Sequence, residues 1–516
     1  MAVVGKRESM NVLLVYPECP DTFWSYKHAL PFARKKAVFP PLGLLTVAAM
    51  LPKAWNKRLI DLNITRLTDQ DLGWADIAFL GAMTVQRESV GRVIARCRQA
   101  GVKTVVGGPL FTVDHNEFPE VDHFVLKEAE RTLPPFLADL AQGHAQRIYT
   151  TDEFPSLAET PVPLWELIDP SCYGWMGLQY SRGCPFQCDF CIITSLLGRR
   201  PRSKSSDQVV AELDAIYRLG WRSEIFFVDD NFIGDRNRLK TDLLPALIRW
   251  QRGKGVPLST QVSIDLADDE ELVRLMVEAG FHMVFIGIET PSADGLAECN
   301  KRQNKDRDLV ADVKRLQRAG LQVQGGFILG FDSDTPSIFQ RQIDFIQSSG
   351  IVMAMVGLLQ ATPGTSLHDR LRREGRLRES HGSGDNVDGT TNIVSRMGDD
   401  VLRKGYGQVL RYLYSPKQYY RRIKTLLREY KKPLFTEAVG GARVRTFLRS
   451  IVRLGIFGRE RFQYWNLLLW TLLRRRELFS LAVTLAIYGY HFRKTAEGHV
   501  QQAARGDHPN ACKREP

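Results

Sequence analysis

The first 150 residues alternate short apolar runs with amphipathic stretches. Each apolar run has the length and unbroken apolar character of a strand buried on both faces, whereas residues 90–100 have helical spacing and end before Gly101. Strands that alternate with helices predict a doubly wound parallel α/β sheet, whose ligands bind at the carboxyl ends of the strands. The predicted strands are residues 12–16, 58–61, 77–81, 104–109 and 124–126.

Residues 151–170 interrupt this pattern with several prolines and acidic groups, which predicts a linker between domains. After it the alternation resumes, and six strands with intervening helices predict a partial (β/α)6 barrel rather than a closed eight-unit barrel. The predicted barrel strands are residues 176–180, 225–230, 258–263, 283–290, 323–330 and 352–360.

The last part of the chain, from Gly398, has helical spacing. Its apolar runs, residues 462–473 and 478–492, are each shorter than the ~20 residues of a membrane span, so no transmembrane helix is predicted. Apolar faces flanked by arginines are typical of a helix in a membrane interface, and also of a helical subdomain packed on the barrel. We expect domains at residues 1–150, 171–380 and 381–516, with 151–170 as the linker and 376–396 as a polar loop.

The composition is that of a globular chain with more than one domain: 516 residues, 44% hydrophobic and 25% charged. The net charge of +12 suits nucleic acid, an anionic membrane or acidic substrates. Because the chain carries no helix-turn-helix, zinc-finger or RNA-binding signature, no nucleic-acid partner is expected. Eight cysteines without disulfide-framework spacing favour a reducing cytoplasm, and residues 1–11 show no signal peptide.

Three cysteines follow the predicted strand 176–180 in the motif C-x3-C-x2-C. Thiolates from Cys184, Cys188 and Cys191 can bind three irons of a [4Fe-4S] cluster and leave the fourth iron open to a small chelating molecule. A ferredoxin site would offer a fourth cysteine nearby, but the next cysteine is Cys299. The alternatives are a zinc knuckle, although zinc sites usually offer four paired ligands, and three unrelated core cysteines.

Polar residues collect where the predicted barrel strands end. Because those ends share one rim of a barrel, we expect the polar residues to surround the cysteine loop. Taken singly, each acid has the alternative of an ordinary surface loop, the usual place of a charged side chain. The rim residues are Asp229, Asp230, Ser263, Glu289 and Asp332.

With Phe190 as the aromatic residue, the motif C-x3-C-x-aromatic-C resembles the signature of the radical S-adenosylmethionine (SAM) superfamily. The resemblance implies that the open iron binds the amino and carboxylate groups of SAM, and that reductive cleavage gives a 5′-deoxyadenosyl radical. It implies that acids such as Asp229 and Glu289 receive the SAM amino group or ribose hydroxyls, and that Phe190 packs on the adenine. The residues expected to bind SAM are Phe190, Asp229, Asp230, Ser263, Glu289 and Gly330.

A sheet domain placed before this motif resembles the cobalamin-binding branch of the same superfamily. A Gly-Gly pair alone is usually a turn, but in this branch the strand-end glycines let the backbone approach the corrin or its nucleotide tail. Residues 39–44 resemble the Pro-Pro-x-Gly segment of the branch, Lys127 stands where it often has glycine, and the Asp-x-His-x-x-Gly cobalt-ligand motif is absent. The residues expected to bind cobalamin are Thr84, Gly107, Gly108 and Pro109.

The order of corrin domain, cluster barrel and basic helical tail resembles the hopanoid C-2 methylase group over nearly the whole chain. It implies a cobalamin-dependent methyltransferase: one SAM methylates cob(I)alamin, and a radical from a second SAM abstracts hydrogen from an unactivated carbon, which takes the methyl group. The expected partners are a hopanoid-type polycyclic lipid, an electron donor such as flavodoxin or ferredoxin, and the inner face of a membrane.

Two alternatives stay open. The same cofactors can serve cyclisation, rearrangement or C-methylation of another natural product or a tetrapyrrole. A metal- or redox-sensing regulator that never turns over is the alternative from another class. No catalytic side chain is singled out by the sequence.

Overall fold

The chain folds into two parallel sheets followed by a group of helices. The computed structural model describes residues 9–378, 383–385, 387–435 and 440–505, with side chains up to residue 499. The first sheet has the strand order β2-β1-β3-β4-β5-β6, and all its pairs are parallel. Its strands are β1 Asn11–Tyr16, β2 Asn56–Asp61, β3 Ile77–Gly81, β4 Lys103–Gly107, β5 His123–Val125 and β6 Ile148–Tyr149.

Both faces of the first sheet are buried under helices. Along β1, Leu13 and Val15 join one apolar core and Val12 and Leu14 join the other, which is why the strand reads as an unbroken apolar run. The helices are α1 Leu30–Ala33, α2 Leu42–Met50, α3 Asp69–Trp74, α4 Arg87–Gln99, α5 Pro109–Asp114 and α6 Ala129–Gln142.

The second sheet is an open, six-stranded parallel sheet with the order β7-β10-β11-β12-β13-β14. A two-stranded antiparallel ribbon, β8 and β9, lies at its carboxyl edge and is connected by residues 183–201, the cysteine loop. The strands are β7 Met176–Leu178, β8 Ser181–Arg182, β9 Arg202–Ser203, β10 Ile225–Phe227, β11 Leu258–Val262, β12 Phe281–Glu289, β13 Gln322–Leu329 and β14 Ala354–Leu358.

Helices cover the outer face of the second sheet. Their starts follow ordinary capping chemistry: Ser205 caps α8 by accepting from the Gln208 backbone, and Asp269 and Asp308 cap α11 and α13 in the same way. The helices are α7 Ile193–Leu197, α8 Ser206–Arg218, α9 Arg236–Arg238, α10 Leu244–Gln251, α11 Glu270–Glu278, α12 Ala293–Glu298, α13 Leu309–Ala319, α14 Ile338–Ser349 and α15 Ser366–Arg373. The π-helical turn Leu239–Leu243 joins α9 to α10.

The C-terminal part is helical, and most of it packs against the barrel. Leu413, Ile423 and Leu485 share one core with β14 and α14, and the buried Arg422 guanidinium donates to the carbonyl oxygens of Leu413 and Val352, each at 3.1 Å. The helices are α16 Asp399–Leu413, α17 Pro416–Glu429, α18 Gly441–Ser450, α19 Arg461–Arg474 and α20 Phe479–Arg505. The π-helical turn Ile451–Ile456 extends α18.

Among the helices in the described ranges, none is long and apolar enough to cross a bilayer. The predicted loop 376–396 is only partly covered, since residues 379–382 and 386 lie outside the described residues, as do Cys512 and residues 1–8.

The fold class expected from the sequence is confirmed: a doubly wound sheet, an open six-stranded barrel sheet and a helical C-terminal domain. The sequence prediction missed β6, because this strand has only two residues, Ile148 and Tyr149, and such a short run carries no periodicity.

Candidate active site

The cysteine loop lies at the carboxyl edge of the second sheet and is fixed by backbone hydrogen bonds. Gly183 has a φ of 96°, and a Cβ there would lie 2.8 Å from the Arg200 carbonyl oxygen, so this turn requires glycine. The Cys184 amide donates to the Gly198 carbonyl at 3.2 Å, and the Cys191 amide to that of Cys188 at 3.0 Å. The loop therefore presents its thiols from a fixed backbone.

The three thiols form one electrostatic group. Burial raises the pKa of each of them, that of Cys191 to about 12, and the charge of Cys188 raises the pKa of both Cys184 and Cys191 further. Neighbouring thiolates without a cation repel one another, so bound metal ions are what would draw off these protons. The thiol set therefore fits a metal-binding group.

A buried ion pair lies beside the thiols. Lys301 Nζ is 2.7 Å from Glu289 Oε1, and a Cβ on Gly287 would lie 2.8 Å from the same Nζ. Burial would lower the pKa of Lys301, but the charges of Glu289 and then Cys188 outweigh it and raise the pKa. Lys301 is therefore a cation held next to the cysteine thiols, and no sequence pattern pointed to it.

Glu289 is held in an unusual backbone conformation. Its φ is 65°, and the register between β12 and β13 shifts between Gly287 and Glu289. The Asn304 amide donates to the carbonyl oxygens of Gly287 and Ile288, both at 3.0 Å, which fixes this irregular strand end. Strained backbone of this kind concentrates at functional sites.

Asp229 and Asp230 are neighbours with different environments. Asp229 is fully buried and accepts hydrogen bonds from the Tyr180 amide at 3.0 Å and from the Ser181 amide and hydroxyl, so it holds the strand that leads into the cysteine loop. Burial, followed by the charge of Asp229, raises the pKa of Asp230 to about 7, and Asp230 in turn raises the pKa of Cys184. Asp230 therefore lies close enough to Cys184 for its charge to act on that thiol.

Ser263 lines a cleft of about 520 Å³ beside the cysteine loop, the cysteine-loop cleft. Pro185 and Phe186 of the loop form one side of this cleft, and Asn231 and Ser263 form the other, where the Ser263 amide donates to Asn231 Oδ1 at 3.3 Å. The cleft joins the ends of β10 and β11, as expected for the rim residues of neighbouring strands.

Phe190 and Gly330 lie outside the cysteine-loop cleft. Phe190 packs against the apolar group that contains Phe331 and Ile393. Gly330 has a φ of 103°, and its amide donates to Asp334 at 2.9 Å. Of the six predicted SAM residues, Ser263 lines the cysteine-loop cleft and the other five do not, so the six do not share this pocket.

The predicted cobalamin residues lie together at the carboxyl edge of the first sheet. Gly107 ends β4, and Gly108, with a φ of 94°, precedes Pro109 at the start of α5. A Cβ on Gly108 would lie 3.0 Å from the Ala82 carbonyl oxygen, so this glycine is needed for the approach of two strand-end loops. Thr84 lies in the second of these loops, at the start of the turn Thr84–Gln86.

Lys127 adopts a φ of 62°, the left-handed region that glycine favours. This conformation gives the physical reason why glycine often precedes Glu-Ala-Glu in the branch. The Lys127 amide donates to the Thr112 hydroxyl at 3.0 Å, and its ammonium pairs with Asp152 at 2.5 Å on the surface. The local turn is therefore kept despite the side chain.

Two buried acids of the first domain, Glu128 and Glu130, bind the arginines that flank the cysteine loop of the second domain. Arg182, two residues before Cys184, donates to Glu128 at 2.6 Å and to both Glu130 oxygens at 2.9 and 3.0 Å. Arg202 donates to Glu128 at 2.7 and 3.1 Å. Burial would raise the pKa of Glu130, but Arg182 outweighs it and holds that pKa below its usual range. We call these four side chains the rim bridge, because they fix the strand ends of one sheet to those of the other.

The inner face of the second sheet is the wall of the barrel interior, which we call the barrel cavity. Phe226, Gln261, Phe285 and Met355 alternate along their strands with buried outer-face residues, yet keep partial exposure themselves. Trp24, from the segment after β1, lies over this face, with its ring centroid 5.3 Å from that of Phe285. No lysine or arginine occupies an inward position on these strands, all of which lie in the described part of the chain. The cavity wall is mainly apolar and aromatic.

Three family models match separate parts of the chain. The description "B12 binding domain" matches residues 32–137, "Radical SAM superfamily" matches residues 178–346, and a domain of unknown function matches residues 365–505. An uncharacterised methyltransferase of Synechocystis is 36% identical, with 95% of this chain and 92% of the relative covered. The hopanoid C-2 methylase of Rhodopseudomonas palustris is 32% identical, with 97% of each covered.

The chain belongs to the cobalamin-dependent radical SAM methyltransferases. Its cofactors are therefore a [4Fe-4S] cluster, SAM and cobalamin, as the sequence predicted. The fold has solved counterparts at 15% identity: TsrM from Kitasatospora setae with cobalamin and [4Fe-4S] cluster bound, at a TM-score of 0.61 over 96% of this chain and 99% of that one, and OxsB with aqua-cobalamin bound, at 0.60 over 96% and 84%.

Family membership makes this methyltransferase an enzyme rather than a sensor that never turns over. Three features went unrecognised in the sequence: Lys301, the rim bridge and the apolar cavity wall. Arg182 and the two glutamates were visible beside the motifs, but pairing residues more than 50 positions apart requires the fold.

Proposed function

We propose that this methyltransferase adds a methyl group to an unactivated carbon of a hopanoid-type polycyclic lipid. The observation that supports the proposal is the wall of the barrel cavity, which carries Phe226, Phe285 and Met355 beside glutamines such as Gln261 and has no lysine or arginine on its strands. A fused-ring hydrocarbon would bury its surface there without leaving a charge unpaired. A relative that is a hopanoid C-2 methylase, covered over 97% of its length, points to the same substrate class.

A tetrapyrrole is the competing substrate, since a methyltransferase acting on bacteriochlorophyllide d in Chlorobaculum tepidum is 26% identical over 65% of this chain. Its carboxylate would require a cation or several donors inside the cavity. The inward strand positions supply glutamines such as Gln261 but no lysine or arginine. The wall chemistry therefore favours an uncharged lipid.

The cofactors supply hydrogen abstraction and the methyl group, and the chain supplies their positions. We propose Cys184, Cys188 and Cys191 as the cluster ligands. Glu289 and Lys301 have the opposite charges needed for the amino and carboxylate groups of SAM. The proposed SAM-binding residues are Phe190, Asp230, Ser263, Glu289 and Gly330, with Asp229 positioning the loop, and the proposed cobalamin-binding residues are Thr84, Gly107, Gly108 and Pro109.

We also propose that the protein works in the cytoplasm against the inner face of a membrane, where such a lipid resides, and receives electrons from a flavodoxin or ferredoxin. Exposed apolar side chains on α18 and α19 support the membrane contact. An exposed cluster edge beside the cysteine loop is what a small electron donor would need, and the partial exposure of the three cysteines fits this.

The substrate is tested with anaerobically reconstituted enzyme, methyl-labelled SAM and either a hopene or a bacteriochlorophyllide in detergent. We expect the hopene to gain one labelled methylene unit and the tetrapyrrole to remain unchanged. A polar variant of the cavity wall, Phe285→Asn, should lower hopene methylation while iron content and cobalamin absorbance stay as in the wild type. Methylation of the tetrapyrrole alone, or deoxyadenosine without a methylated lipid, would reject the lipid substrate.

A further inference from the structure

Helix α18 presents one apolar stripe to solvent. Val444, Leu448, Val452 and Ile456 are spaced four residues apart, which places them on one side of the helix, and each is about half exposed. Phe457, at the turn that follows, is 80% exposed. Apolar side chains in such a row are usually covered by another element or a partner.

Helix α19 continues this surface. Its buried side carries Tyr464, Leu467 and Leu468, while the stripe Phe462, Trp465, Leu469, Leu472 and Leu473 faces outward, with Leu473 82% exposed. The Trp465 indole donates to the Gly455 carbonyl at 3.0 Å and so joins the two stripes. We call this continuous face the apolar surface of α18 and α19.

A basic cleft of about 370 Å³ borders the apolar surface, between α17 and α19. Four cations on one side of α17 line it: Lys417, Arg421, Lys424 and Arg428. No carboxylate of the described residues lines this cleft, and none of the four cations has an ion pair among them. Four like charges in a row destabilise the free protein slightly and attract an anion.

One residue that lines the cleft, Tyr420, has a donor without a protein partner among the described residues. The Tyr420 side chain is 5% exposed, and its hydroxyl has no hydrogen-bond partner in the described part of the chain. The Lys424 ammonium is held by the Asn466 amide, and Lys424 and Arg428 lie 5.7 and 5.8 Å from the Trp470 ring centre. Burial, followed by the charge of Arg428, lowers the pKa of Lys424, as expected where a cation lacks a counter-charge.

Phe462 belongs to both features, since it lines the cleft and is 72% exposed on the apolar surface. The two features therefore meet along one side of α19. A row of aliphatic and aromatic side chains with cations along its border matches the cross-section of a bilayer surface, where acyl chains lie below a layer of phosphates.

We propose that the apolar surface of α18 and α19 docks into an anionic bilayer and that the basic cleft binds the phosphate of an acidic phospholipid headgroup. This docking rests on the membrane contact of the proposed function. It adds which face of the protein docks and which class of lipid the cleft binds. Apolar side chains enter the acyl boundary, and the cleft fixes the orientation in which the enzyme meets the membrane.

The test is flotation of the full-length holoenzyme with vesicles of phosphatidylcholine, alone or mixed with phosphatidylglycerol. We expect binding to the anionic vesicles, weakening as salt is raised, and little binding to the neutral ones. The double variant Arg421→Ala/Lys424→Ala should weaken binding about tenfold or more, because each basic residue contributes substantially near an anionic surface. Leu469→Ser/Leu473→Ser should weaken binding to the same vesicles without changing its salt dependence.

The matched control is Arg372→Ala/Arg373→Ala, which removes two exposed cations from α15, and it should bind as the wild type does. Cobalamin absorbance shows that each variant is folded. Equal binding to neutral and anionic vesicles, equal loss in the control, or self-association in place of vesicle binding would overturn the proposal. Displacement by inorganic phosphate at constant ionic strength would show that the cleft prefers free phosphate, and would overturn it too.

Methylation of a hopene dispersed in detergent separates this proposal from the function on which it rests. Methylation by a protein that does not bind anionic vesicles would overturn the docking inference and leave the proposed function standing. Vesicle binding without methylation of any hopene would overturn the proposed substrate and leave the docking face standing.

Discussion

At the scale of single residues, the rim bridge connects the two halves of the active site. Glu128 and Glu130 follow β5 of the cobalamin domain, and Arg182 lies two residues before Cys184, the first proposed cluster ligand. Each of these carboxylates is buried. Removing the arginine would therefore leave a carboxylate charge without a partner in the protein interior. The bridge therefore sets the separation of the two cofactor sites as well as their stability.

We expect Arg182→Gln to lower the free energy of unfolding by about 3–5 kcal/mol, the usual cost of breaking a buried ion pair. The control is Lys127→Ala, which removes a surface ion pair from the loop that carries Glu128. It should lower the free energy of unfolding by about 0–1 kcal/mol. Urea unfolding followed by near-ultraviolet circular dichroism gives both values. The ratio of methylated lipid to deoxyadenosine should fall in Arg182→Gln only, and equal effects of the two variants would contradict the bridge.

Gly287 is the second residue on which the site depends. A Cβ at this position would collide with the Glu289 carboxylate and the Lys301 ammonium, so we expect Gly287→Ala to displace the pair and weaken SAM binding roughly tenfold or more. Equilibrium dialysis with labelled SAM measures this. Gly91→Ala in α4 has open space around the new Cβ and should leave SAM binding unchanged while stabilising its helix. Unchanged affinity in Gly287→Ala would argue against the role of the pair.

The sequence predicted those site residues that belong to a motif of fixed spacing or follow a predicted strand. It predicted no other site residues. The cysteines, Asp230, Ser263 and Glu289 lie around one loop, as the strand-end argument required. Lys301 has neither a motif spacing nor a strand-end position. Its proposed role depends on a contact with Glu289, which lies at the register shift in β12. Asp229 shows the opposite limit: its position was predicted, but only the structure shows that its carboxylate serves the backbone.

At the scale of elements, the segment after β14 is tied to the barrel rim through Asp332. Asp332 accepts from Arg376 at 2.6 and 2.8 Å and from Arg370 at 2.8 Å. Burial would raise the pKa of Asp332, but the two arginines outweigh it and lower the pKa to about 2. The ionised carboxylate thus fixes the start of the polar loop beside the rim.

Because the folded pKa of Asp332 lies below the ordinary value, its contribution to stability is present above pH about 4 and is lost as the pH falls toward 2. We expect Asp332→Asn to unfold at lower urea than the wild type at pH 7, and to lose less as the pH is lowered from 5 to 3. Asp369→Asn, an exposed acid on α15, is the control and should follow the wild type. A parallel decline of Asp332→Asn and wild type would show that the pair contributes nothing.

The elements themselves were largely predictable, because buried parallel strands are apolar on both faces and amphipathic helices separate them. The C-terminal helices were predicted as helices. Which side of each helix packs on the barrel and which side is exposed was not predicted. Tyr464 and Leu467 on α19 are buried while Leu469 and Leu473 are exposed, and the pattern of apolar residues alone does not say which side meets the barrel.

At the scale of the whole molecule, the carboxyl edges of two parallel sheets are joined by buried charges, and both proposed cofactor sites lie at those edges. The basic cleft lies on the helices that cover the barrel. The arrangement favours a lipid that comes from a membrane and reacts between two cofactors in an apolar enclosure.

The most direct test of this account is the fate of SAM over the anaerobically reduced enzyme with a hopene, with and without bound cobalamin. We expect deoxyadenosine, S-adenosylhomocysteine and methylated hopene in equal amounts when cobalamin is present, and deoxyadenosine without methylated hopene when it is absent. Methylated hopene without cobalamin, or methylation without any deoxyadenosine, would contradict the account.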